Sequence, residues 1–253
     1  MPPLIDVVIP VLNEEKALPG CIESLTQFLQ YNSPYDFRIV IADNGSDDLT
    51  PEISSSLSKE HPQVTWIRLE MRGRGRALKK AWSGSDADIL CYMDVDLSTD
   101  LGTFPVLVKA IWEDRFDLAV GSRLMNHSVV RKRSTKREFT SRSYNILIKA
   151  MFMTKFSDAQ CGFKAISKSA AADLLPLVKD QGWFFDSELL ILAEKNGYHI
   201  KDIPVLWVDD PDSRVNVIKT ARDDIKGLLR LRTRGLSEAS KLLRHSRTQY
   251  NGH

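Results

Sequence analysis

The feature that most constrains the fold is a regular alternation of short β-type apolar runs with amphipathic helical segments over the first 120 residues. In the helical segments apolar residues recur at helical spacing, as Leu18, Ile22, Leu25 and Leu29 do. Such alternation predicts an α/β fold, a mostly parallel sheet with helices on both faces. The predicted strands are Asp6–Val11, Arg38–Ala42, Val64–Leu69, Ile89–Met93 and Leu118–Val120. The helices that come after the second, third and fourth of these strands are predicted at Pro51–Lys59, Arg76–Trp82 and Phe104–Trp112.

After Arg123 the pattern changes to a basic loop. The spacing then predicts a long amphipathic segment over 136–156, a strand over 162–166, a helix over 186–196 and a strand over 203–208. From Asn216 onward the tail is predicted to be helical, with an apolar side made by Ile218, Ala221, Ile225, Leu228 and Leu229.

Charge is nearly balanced overall but segregated along the chain. The chain has thirty-five Lys and Arg residues and thirty-three Asp and Glu residues, so the net charge by itself favours no class of partner. Residues 123–149, however, hold eight basic residues and one acid, and residues 214–247 hold ten basic and three acidic residues. Such segregation is typical of a basic face that meets an anionic surface.

The two basic segments also carry apolar residues at helical intervals, namely Tyr144, Ile148, Met151 and Phe152 in the first of them. Basic amphipathic helices of this kind lie in a membrane interface, although packing of the apolar stripe into the core is the alternative. No apolar run reaches the length of a membrane span, and the start shows no basic leader, so no signal peptide is predicted. We therefore expect a cytoplasmic protein, peripheral on the cytoplasmic face of a membrane.

Three isolated cysteines, Cys21, Cys91 and Cys161, predict free packed thiols and a reducing compartment.

The unusual polar residues follow directly after predicted strands. In an open parallel sheet, ligands bind beyond the carboxyl ends of the strands. Asp94 and Asp96 come after the apolar run 89–93, Asp43 follows the second strand, and Asn13-Glu14 follows the first. Two carboxylates at this edge can hold Mg²⁺ or Mn²⁺ while substrate phosphates fill the remaining positions. A turn or a helix cap is the alternative interpretation of an isolated Asp-x-Asp.

Four motifs occur in order and at near-regular spacing: Ile-Pro-Val-Leu-Asn-Glu at 9–14, Ala-Asp-Asn-Gly-Ser-Asp-Asp at 42–48, Gly-Arg-Gly-Arg-Ala at 73–77 and Asp-Val-Asp at 94–96. Together they resemble the family 2 glycosyltransferases. The resemblance implies the Rossmann-like GT-A fold, with Asp94 and Asp96 around the metal. It also implies contacts to a nucleoside-diphosphate sugar from Pro10, Leu12, Glu14, Asp43, Arg74 and Asp94.

Motifs in the second half narrow the resemblance to the polyprenyl- and dolichyl-phosphate hexosyltransferases, and more to the glucosyl than the mannosyl branch. These motifs are Gly-Ser-Arg at 121–123 and three longer segments at 157–164, 182–188 and 211–216. In that family arginines bind the lipid phosphate, and the matching positions here are Arg123, Arg137 and Arg214. The sequence does not decide which of Arg131, Arg133 and Arg137 is the second arginine that binds the phosphate. Ser98 stands where the mannosyl enzymes often have Gln.

The resemblance divides the chain into residues 1–122 as the nucleotide-sugar half, 123–214 as the acceptor half of the same domain, and 215–253 as a basic amphipathic tail. It implies UDP-glucose as donor and a polyprenyl or dolichyl phosphate as acceptor. Because a phosphate monoester is already ionised at neutral pH, the reaction needs no general base, and a single displacement would invert the anomeric carbon. Asp96, Arg123, Arg137, Arg214 and Asp186 are the predicted catalytic residues, with Asp186 and Glu188 contacting sugar hydroxyls or orienting the arginines.

Four other functions compete with this one. A GDP-mannose-dependent polyprenyl-phosphate mannosyltransferase belongs to the same class, whereas a processive polysaccharide synthase is disfavoured because no Gln-x-x-Arg-Trp occurs. A nucleic-acid-binding module would explain the basic segments but leaves the paired aspartates without a role, so no nucleic-acid partner is expected. A non-catalytic nucleotide-sugar-binding protein would keep the donor motifs without turnover. The sequence does not fix the oligomeric state.

Overall fold

The computed structural model describes residues 2–209 and 217–250. Its strands are β1 Leu4–Val11, β2 Asp36–Asp43, β3 Val64–Arg68, β4 Ile89–Met93, β5 Leu118–Ser122, β6 Val129–Arg131, β7 Phe163–Ser167, β8 Ile200–Pro204 and β9 Leu206–Val208. Seven of them form one sheet in the order β3-β2-β1-β4-β7-β5-β8, and β6 pairs with β9. Only β7 runs antiparallel to its neighbours within this sheet.

The helices are α1 Leu18–Asn32, α2 Thr50–Glu60, α3 Arg74–Ser83, α4 Phe104–Trp112, α5 Thr135–Phe152, α6 Lys168–Leu174, α7 Phe185–Lys195, α8 Val217–Arg230 and α9 Leu236–Tyr250. A π-helical turn, Leu231–Gly235, joins α8 to α9. In the part of the chain described, no helix is both long and apolar enough to cross a bilayer.

Burial on both faces of the sheet explains why the central strands do not alternate between apolar and polar residues. All five residues of β4 are buried, and so are Ile5 and Val7 of β1 beside it, because helices cover both faces of the sheet. The registers Val8↔Tyr92 and Val11↔Asp43 bring the carboxyl ends of β1, β2 and β4 to one edge. The polar residues that follow these strands are therefore delivered to the same place.

The predicted α/β sheet is confirmed, and strand 89–93 has the predicted bounds. The single strand predicted over 203–208 is wrong. The chain leaves the large sheet after Pro204, and β9 joins the two-stranded sheet instead. Val205 lies between the two strands, where its N–H donates to the carbonyl of Ser122 and its carbonyl accepts from Val129. The short strand β6 and the helix α6 were not predicted.

The amphipathic segments are helical, but their apolar residues divide between two faces. In α5 the predicted interfacial residues Ile148 and Phe152 are buried in the core, whereas Phe139 and Ile146 are exposed. The helix stops at Phe152, earlier than predicted, because Met153 takes a left-handed conformation and caps it. For Ile148 and Phe152 the alternative of core packing is therefore the correct one.

The tail helix α8 divides in the same way. Leu228 packs into the core, while Ile225 and Leu229 stay exposed. Gly227 permits the close approach, since a Cβ at this position would lie 2.3 Å from Cδ1 of Phe184. A tail predicted to have one apolar side thus has one side docked on the domain and a second, solvent-facing one.

Candidate active site

The two aspartates after β4 have different environments. Oδ1 of Asp94 accepts a hydrogen bond from Nη2 of Arg74 at 2.5 Å, and Oδ2 lies against Gly162, where a Cβ would approach it to 1.8 Å. Asp96 is exposed, and one of its oxygens accepts from the amide of Ser98 at 2.9 Å. Asp94 is therefore held in place from two sides, whereas Asp96 presents a carboxylate to the open edge of the sheet.

Arg74 lies at the first position of α3 and faces the same edge. Its guanidinium lies over the ring of Trp183 at 4.8 Å and over that of Tyr92 at 5.3 Å. The flanking glycines are needed for this approach, because a Cβ at Gly73 would lie 2.4 Å from the carbonyl oxygen of Gln181, and one at Gly75 would lie 2.5 Å from Cβ of Phe185. The Gly-Arg-Gly sequence thus packs the start of α3 against the segment before α7.

Asp43 ends β2 and is fully buried. Its Oδ1 accepts from the amide of Ser46 at 3.0 Å, while its Oδ2 has no hydrogen-bond partner in the described structure and lies 3.5 Å from Nε of Arg68. Buried carboxylate oxygens are normally hydrogen-bonded, so this one is available to a donor group of a ligand.

The loop after β1 lies beside the loop that follows Asp43. The amide of Asn44 donates to the carbonyl of Val11 at 2.9 Å, and the amide of Glu14 donates to Oγ1 of Thr50 at 2.8 Å. Pro10 and Leu12, at the end of β1, are partly buried. The structure thus brings the predicted donor-binding residues together at one edge of the sheet.

The carboxylates at this edge suit a divalent cation. Burial raises the pKa of Asp94, and the nearby charges of Asp96 and Asp186 add to that rise, while Arg74 opposes it. Within the described residues no cluster of three or more His, Cys, Asp or Glu side chains could hold a metal. Two protein carboxylates nevertheless fit Mg²⁺ or Mn²⁺, since such ions keep waters and substrate phosphates as further ligands.

Arg123 lies at the carboxyl end of β5 and is bound to Asp158. Its Nε and Nη2 donate to the two carboxylate oxygens at 2.8 and 3.0 Å, and its guanidinium lies 4.9 Å from the ring centroid of Trp207. Although burial by itself would raise it, the pKa of Asp158 is held at about 2 by Arg123. Trp207 also lines a small cleft together with Asp94 and Gly162. The arginine is therefore adjacent to the aspartate edge.

The other predicted phosphate arginines differ in their surroundings. Nη1 of Arg137 donates to Asp209 at 2.5 Å, and Asp209 also accepts from Nε1 of Trp207 at 3.2 Å. The side chain of Arg133 is largely buried, and its Nη2 donates to Oγ of Ser141 in α5. Arg214 lies outside the described residues.

Asp186 and Glu188, in the first turn of α7, are buried and bound to cations. Asp186 lies 3.0 Å from Nζ of Lys164 and accepts a hydrogen bond from the hydroxyl of Tyr92. Glu188 accepts from both terminal nitrogens of Arg230 at 2.9 Å, which ties α8 to the domain. That Asp186 or Glu188 contacts a sugar stays a prediction; the contacts present show them orienting Lys164, Tyr92 and Arg230.

Lys164 and Asp158 hold two of the site residues in place: Lys164 pairs with Asp186, and Asp158 binds Arg123. Both belong to the motif 157–164, but neither was predicted as a site residue. Lys164 is 2% exposed, and a buried lysine is rare unless it is paired, so its position in an otherwise apolar strand was a usable signal. Cys161, in the same motif, is buried, and burial raises the pKa of its thiol to about 12, which agrees with the predicted packed thiol.

The fold is shared with known nucleotide-sugar enzymes. The crystal structure of glucosyl-3-phosphoglycerate synthase from Mycobacterium tuberculosis in complex with uridine diphosphate superposes with a TM-score of 0.68 at 18% identity, covering 91% of this chain and 80% of that one. The same enzyme with Mn²⁺, UDP-glucose and phosphoglyceric acid gives a TM-score of 0.64 at 17% identity, covering 94% and 80%. The predicted GT-A fold is confirmed.

A mostly parallel α/β sheet with carboxylates beyond the carboxyl ends of its strands defines the class of open α/β proteins that bind ligands at that edge. The chain belongs to glycosyl transferase family 2, whose sequence profile matches residues 6–175.

Curated relatives share this region and extend beyond it. Glycosyltransferase AglD of Haloferax volcanii is 34% identical over 226 residues, which is 88% of this chain but only 35% of that protein. The dolichyl-phosphate beta-glucosyltransferases of Dictyostelium discoideum and Saccharomyces cerevisiae are each 27% identical, covering 92% and 87% of this chain and 75% and 72% of theirs. The chain thus spans about a third of the first relative and about three quarters of the other two.

Proposed function

We propose that the chain transfers glucose from UDP-glucose, with inversion at the anomeric carbon, to the phosphate of a polyprenyl or dolichyl monophosphate. The observation that carries this proposal is that Trp207 lies between two oppositely charged groups of residues, the aspartates after β4 and Arg123. Asp94 lines one cleft with Trp207, and Trp207 stacks on Arg123. Carboxylates suited to a metal-bound diphosphate thus lie beside an arginine suited to a phosphate. Family membership and the names of the curated relatives support the same reaction.

On the donor side, Oδ2 of Asp43, which pairs only with the charge of Arg68 and has no hydrogen-bond partner among the described residues, can accept a hydrogen bond from the base or the ribose. Arg74 lies beside Asp94 at the N-terminus of α3, where its charge and the helix dipole both favour a diphosphate. Mg²⁺ or Mn²⁺ held by Asp94 and Asp96 would neutralise charge on the leaving diphosphate.

On the acceptor side, the attacking group is a phosphate oxygen whose second pKa is near 6, so no proton has to be removed at neutral pH. The residues then need only to hold that oxygen in line with the anomeric carbon and to compensate its charge. Arg123 is fixed for this task, because both oxygens of Asp158 bind it and Trp207 supports its face. Arg137 and Arg214 are proposed as its partners.

We also propose that the solvent-facing sides of α5 and α8 contact a membrane surface. Phe139 and Ile146 are 74% and 66% exposed on α5, and Ile225 and Leu229 are 49% and 54% exposed on α8. Exposed Arg142, Arg222 and Lys226 lie on the same two helices. Apolar side chains beside basic ones suit the interface of an anionic bilayer, where a lipid acceptor would be found.

A transfer assay tests the acceptor class. The protein is incubated with UDP-glucose, Mg²⁺ or Mn²⁺, and either a polyprenyl phosphate or the matching polyprenol, and the lipid product is identified by mass. We expect a hexosyl phosphate lipid from the phosphate and no product from the alcohol. Binding of UDP without product from any lipid phosphate would instead favour a non-catalytic nucleotide-sugar-binding protein.

A calorimetric titration tests the choice of nucleotide. UDP should bind the wild-type protein more tightly than GDP in the presence of Mg²⁺. Tighter binding of GDP would overturn the glucosyl assignment in favour of a GDP-mannose-dependent enzyme.

A further inference from the structure

The carboxylate of Glu188 joins the tail helix α8 to the backbone that precedes α7. Its Oε1 and Oε2 accept hydrogen bonds from Nη1 and Nη2 of Arg230, each at 2.9 Å. Oε2 also accepts from the backbone amides of Lys179 and Asp180, at 3.2 and 2.8 Å. The side chain of Glu188 is 1% exposed, so water does not compete for these bonds. The position of α8 and the course of this backbone are therefore linked through one buried group.

The same backbone, segment 178–184, holds the start of α3. The first amides of a helix have no partner within the helix and need an acceptor from elsewhere. Three hydrogen bonds join the two parts, from the amides of Gly75 and Arg76 to the carbonyls of Gly182 and Gln181 at 3.2 and 3.1 Å, and from Nζ of Lys79 to the carbonyl of Val178 at 2.9 Å. The first turn of α3 is thus fixed by segment 178–184.

Segment 178–184 also contacts the guanidinium of Arg74 directly. The ring of Trp183 lies 4.8 Å from Cζ of Arg74, whose Nη2 binds Asp94 at 2.5 Å. A displacement of about 1 Å in a substrate-binding group can change a rate by roughly 10²-fold. Any change in the course of this segment would therefore be felt at Arg74.

The geometry of the pair between Arg230 and Glu188 is as important as its charge. A two-point contact between a guanidinium and a carboxylate fixes the direction of the carboxylate. Without Arg230 the buried charge of Glu188 would be compensated by two amides alone, so the carboxylate would turn toward water or another donor. The helix α8 also touches the end of the segment, where Gly227 packs against Phe184. We therefore expect the loss of Arg230 to alter the course of segment 178–184.

We propose that Arg230 is a positioning residue for the donor nucleotide. Through Glu188 and segment 178–184 it fixes the first turn of α3, and with it Arg74, which we assign to the diphosphate of UDP-glucose. This inference rests on the proposed function, and it makes the tail helix part of the nucleotide site. Two explanations compete with it: Arg230 only attaches α8 to the domain, or Glu188 contacts the sugar itself.

The experiment compares Arg230→Met, Arg230→Lys and Glu188→Gln with the wild type. Lys179→Met is the matched control, because it breaks an exposed ion pair of 2.9 Å between the same segment and Glu238 of α9 while the amide of Lys179 is kept. UDP and uridine are titrated by calorimetry in the presence of Mg²⁺. Initial rates are measured with UDP-glucose and farnesyl phosphate varied separately, and thermal unfolding is followed for each protein.

For Arg230→Met we expect the Kd for UDP and the KM for UDP-glucose to rise roughly 10-fold, a typical size for coupling between two parts of a protein. The affinity for uridine, which has no diphosphate, and the KM for farnesyl phosphate should change less than about twofold. Glu188→Gln should weaken UDP binding in the same way. Arg230→Lys should recover part of the affinity, since it restores the charge but not the fork, and Lys179→Met should match the wild type.

A lowered melting temperature of Arg230→Met with unchanged affinity for UDP would reduce Arg230 to an attachment of α8 and overturn the inference. Equal losses for UDP and uridine would overturn it as well, because the effect would then not reach the diphosphate through Arg74. A Glu188→Gln protein with a raised KM for UDP-glucose but wild-type affinity for UDP would assign Glu188 to the sugar instead. Arg230→Lys carries the test if Arg230→Met does not fold. Failure of the proposed function looks different, since the wild type itself then forms no lipid product, while its affinity for UDP can still be compared with that of the variants.

Discussion

The donor side and the acceptor side of the site are built in different ways. On the donor side, Asp43 ends β2 and Asp94 follows β4, the two strands on either side of β1, and their positions are set by the sheet register. On the acceptor side, Arg123 is held by Asp158, thirty-five residues further along the chain. Local pattern therefore determines the donor side, whereas the acceptor side depends on contacts between distant segments. Mutations should separate the two sides accordingly, with effects on chemistry at the first and effects on both stability and acceptor binding at the second.

The largest effect is expected for Asp96→Ala. Asp96 is exposed and makes one local hydrogen bond, so its loss should leave the fold intact. As a proposed metal ligand it should be required for turnover, and kcat should fall by at least ~10³-fold. Steady-state kinetics with Mg²⁺ or Mn²⁺ and circular dichroism check this, with Asp100→Ala as the exposed control. A folded Asp96→Ala protein with near-normal activity would remove the metal assignment from the donor side.

Asp158→Asn should show the acceptor side as structurally coupled. It leaves Arg123 buried with a weakened partner, and the free energy of unfolding should fall by about 2–3 kcal/mol at pH 7. Asp114→Asn, which breaks an exposed pair with Lys109, is the control and should change stability by less than about 1 kcal/mol. Urea unfolding measures both.

The pH dependence of the Asp158→Asn effect has a definite sign. The folded pKa of Asp158, about 2, lies below its unfolded value, so its contribution is fully present above about pH 4 and is lost as the pH falls toward 2. The difference between wild type and Asp158→Asn should therefore shrink on acidification. A difference that stays constant from pH 7 to pH 3 would contradict the ion pair as the source.

Ile225→Gln combined with Leu229→Gln tests the membrane-facing side of α8. Both side chains are exposed, so the unfolding free energy should change by less than about 0.5 kcal/mol. Binding to vesicles that contain anionic lipid should weaken roughly 10-fold, because apolar area and basic charge act together at the interface. Vesicle sedimentation measures this, with Tyr31→Gln, 81% exposed on α1, as the control. Unchanged vesicle binding by the double variant would exclude this face of α8 as the contact.

The smallest effect is expected for Asp224→Asn on α8. Burial is the main cause that raises the pKa of Asp224 to about 7, and nearby Asp180, Asp223 and Asp186 add to it, whereas a hydrogen bond from Gln160 opposes it. The folded state therefore holds a proton that the unfolded chain has released, and wild-type stability should decline from about pH 4 to pH 7. Asp224→Asn should be more stable than the wild type by about 1 kcal/mol at pH 8 and equal to it near pH 4.

Asp114→Asn, at an exposed acid after α4 that is not among the charges acting on Asp224, is the control and should follow the wild-type profile. Unfolding free energies measured at several pH values decide the matter. The account of Asp224 would be wrong if the Asp224→Asn difference were the same at every pH.

The difference between the two sides also determines how much could be predicted from sequence. Asp94 follows a run of five buried residues, and Asp43 ends β2, so strand periodicity was sufficient to place both at one edge. The partner of Arg123 could not be found in this way, since nothing local identifies Asp158 among the acids of the chain. Ile148 and Phe152 show the same limit: helical spacing grouped them correctly, but whether core or bilayer covers them depends on packing.

The central claim is that this chain moves glucose from a uridine nucleotide to a lipid phosphate. A competition assay tests it most directly, with equal concentrations of UDP-glucose bearing ¹³C in the sugar and unlabelled GDP-mannose, a polyprenyl phosphate and Mg²⁺ or Mn²⁺. The hexosyl phosphate lipid formed by the wild type is expected to carry the label, and Asp96→Ala is expected to form none. Unlabelled product would contradict the choice of donor, and the absence of any lipid product from the wild type would contradict the transfer itself.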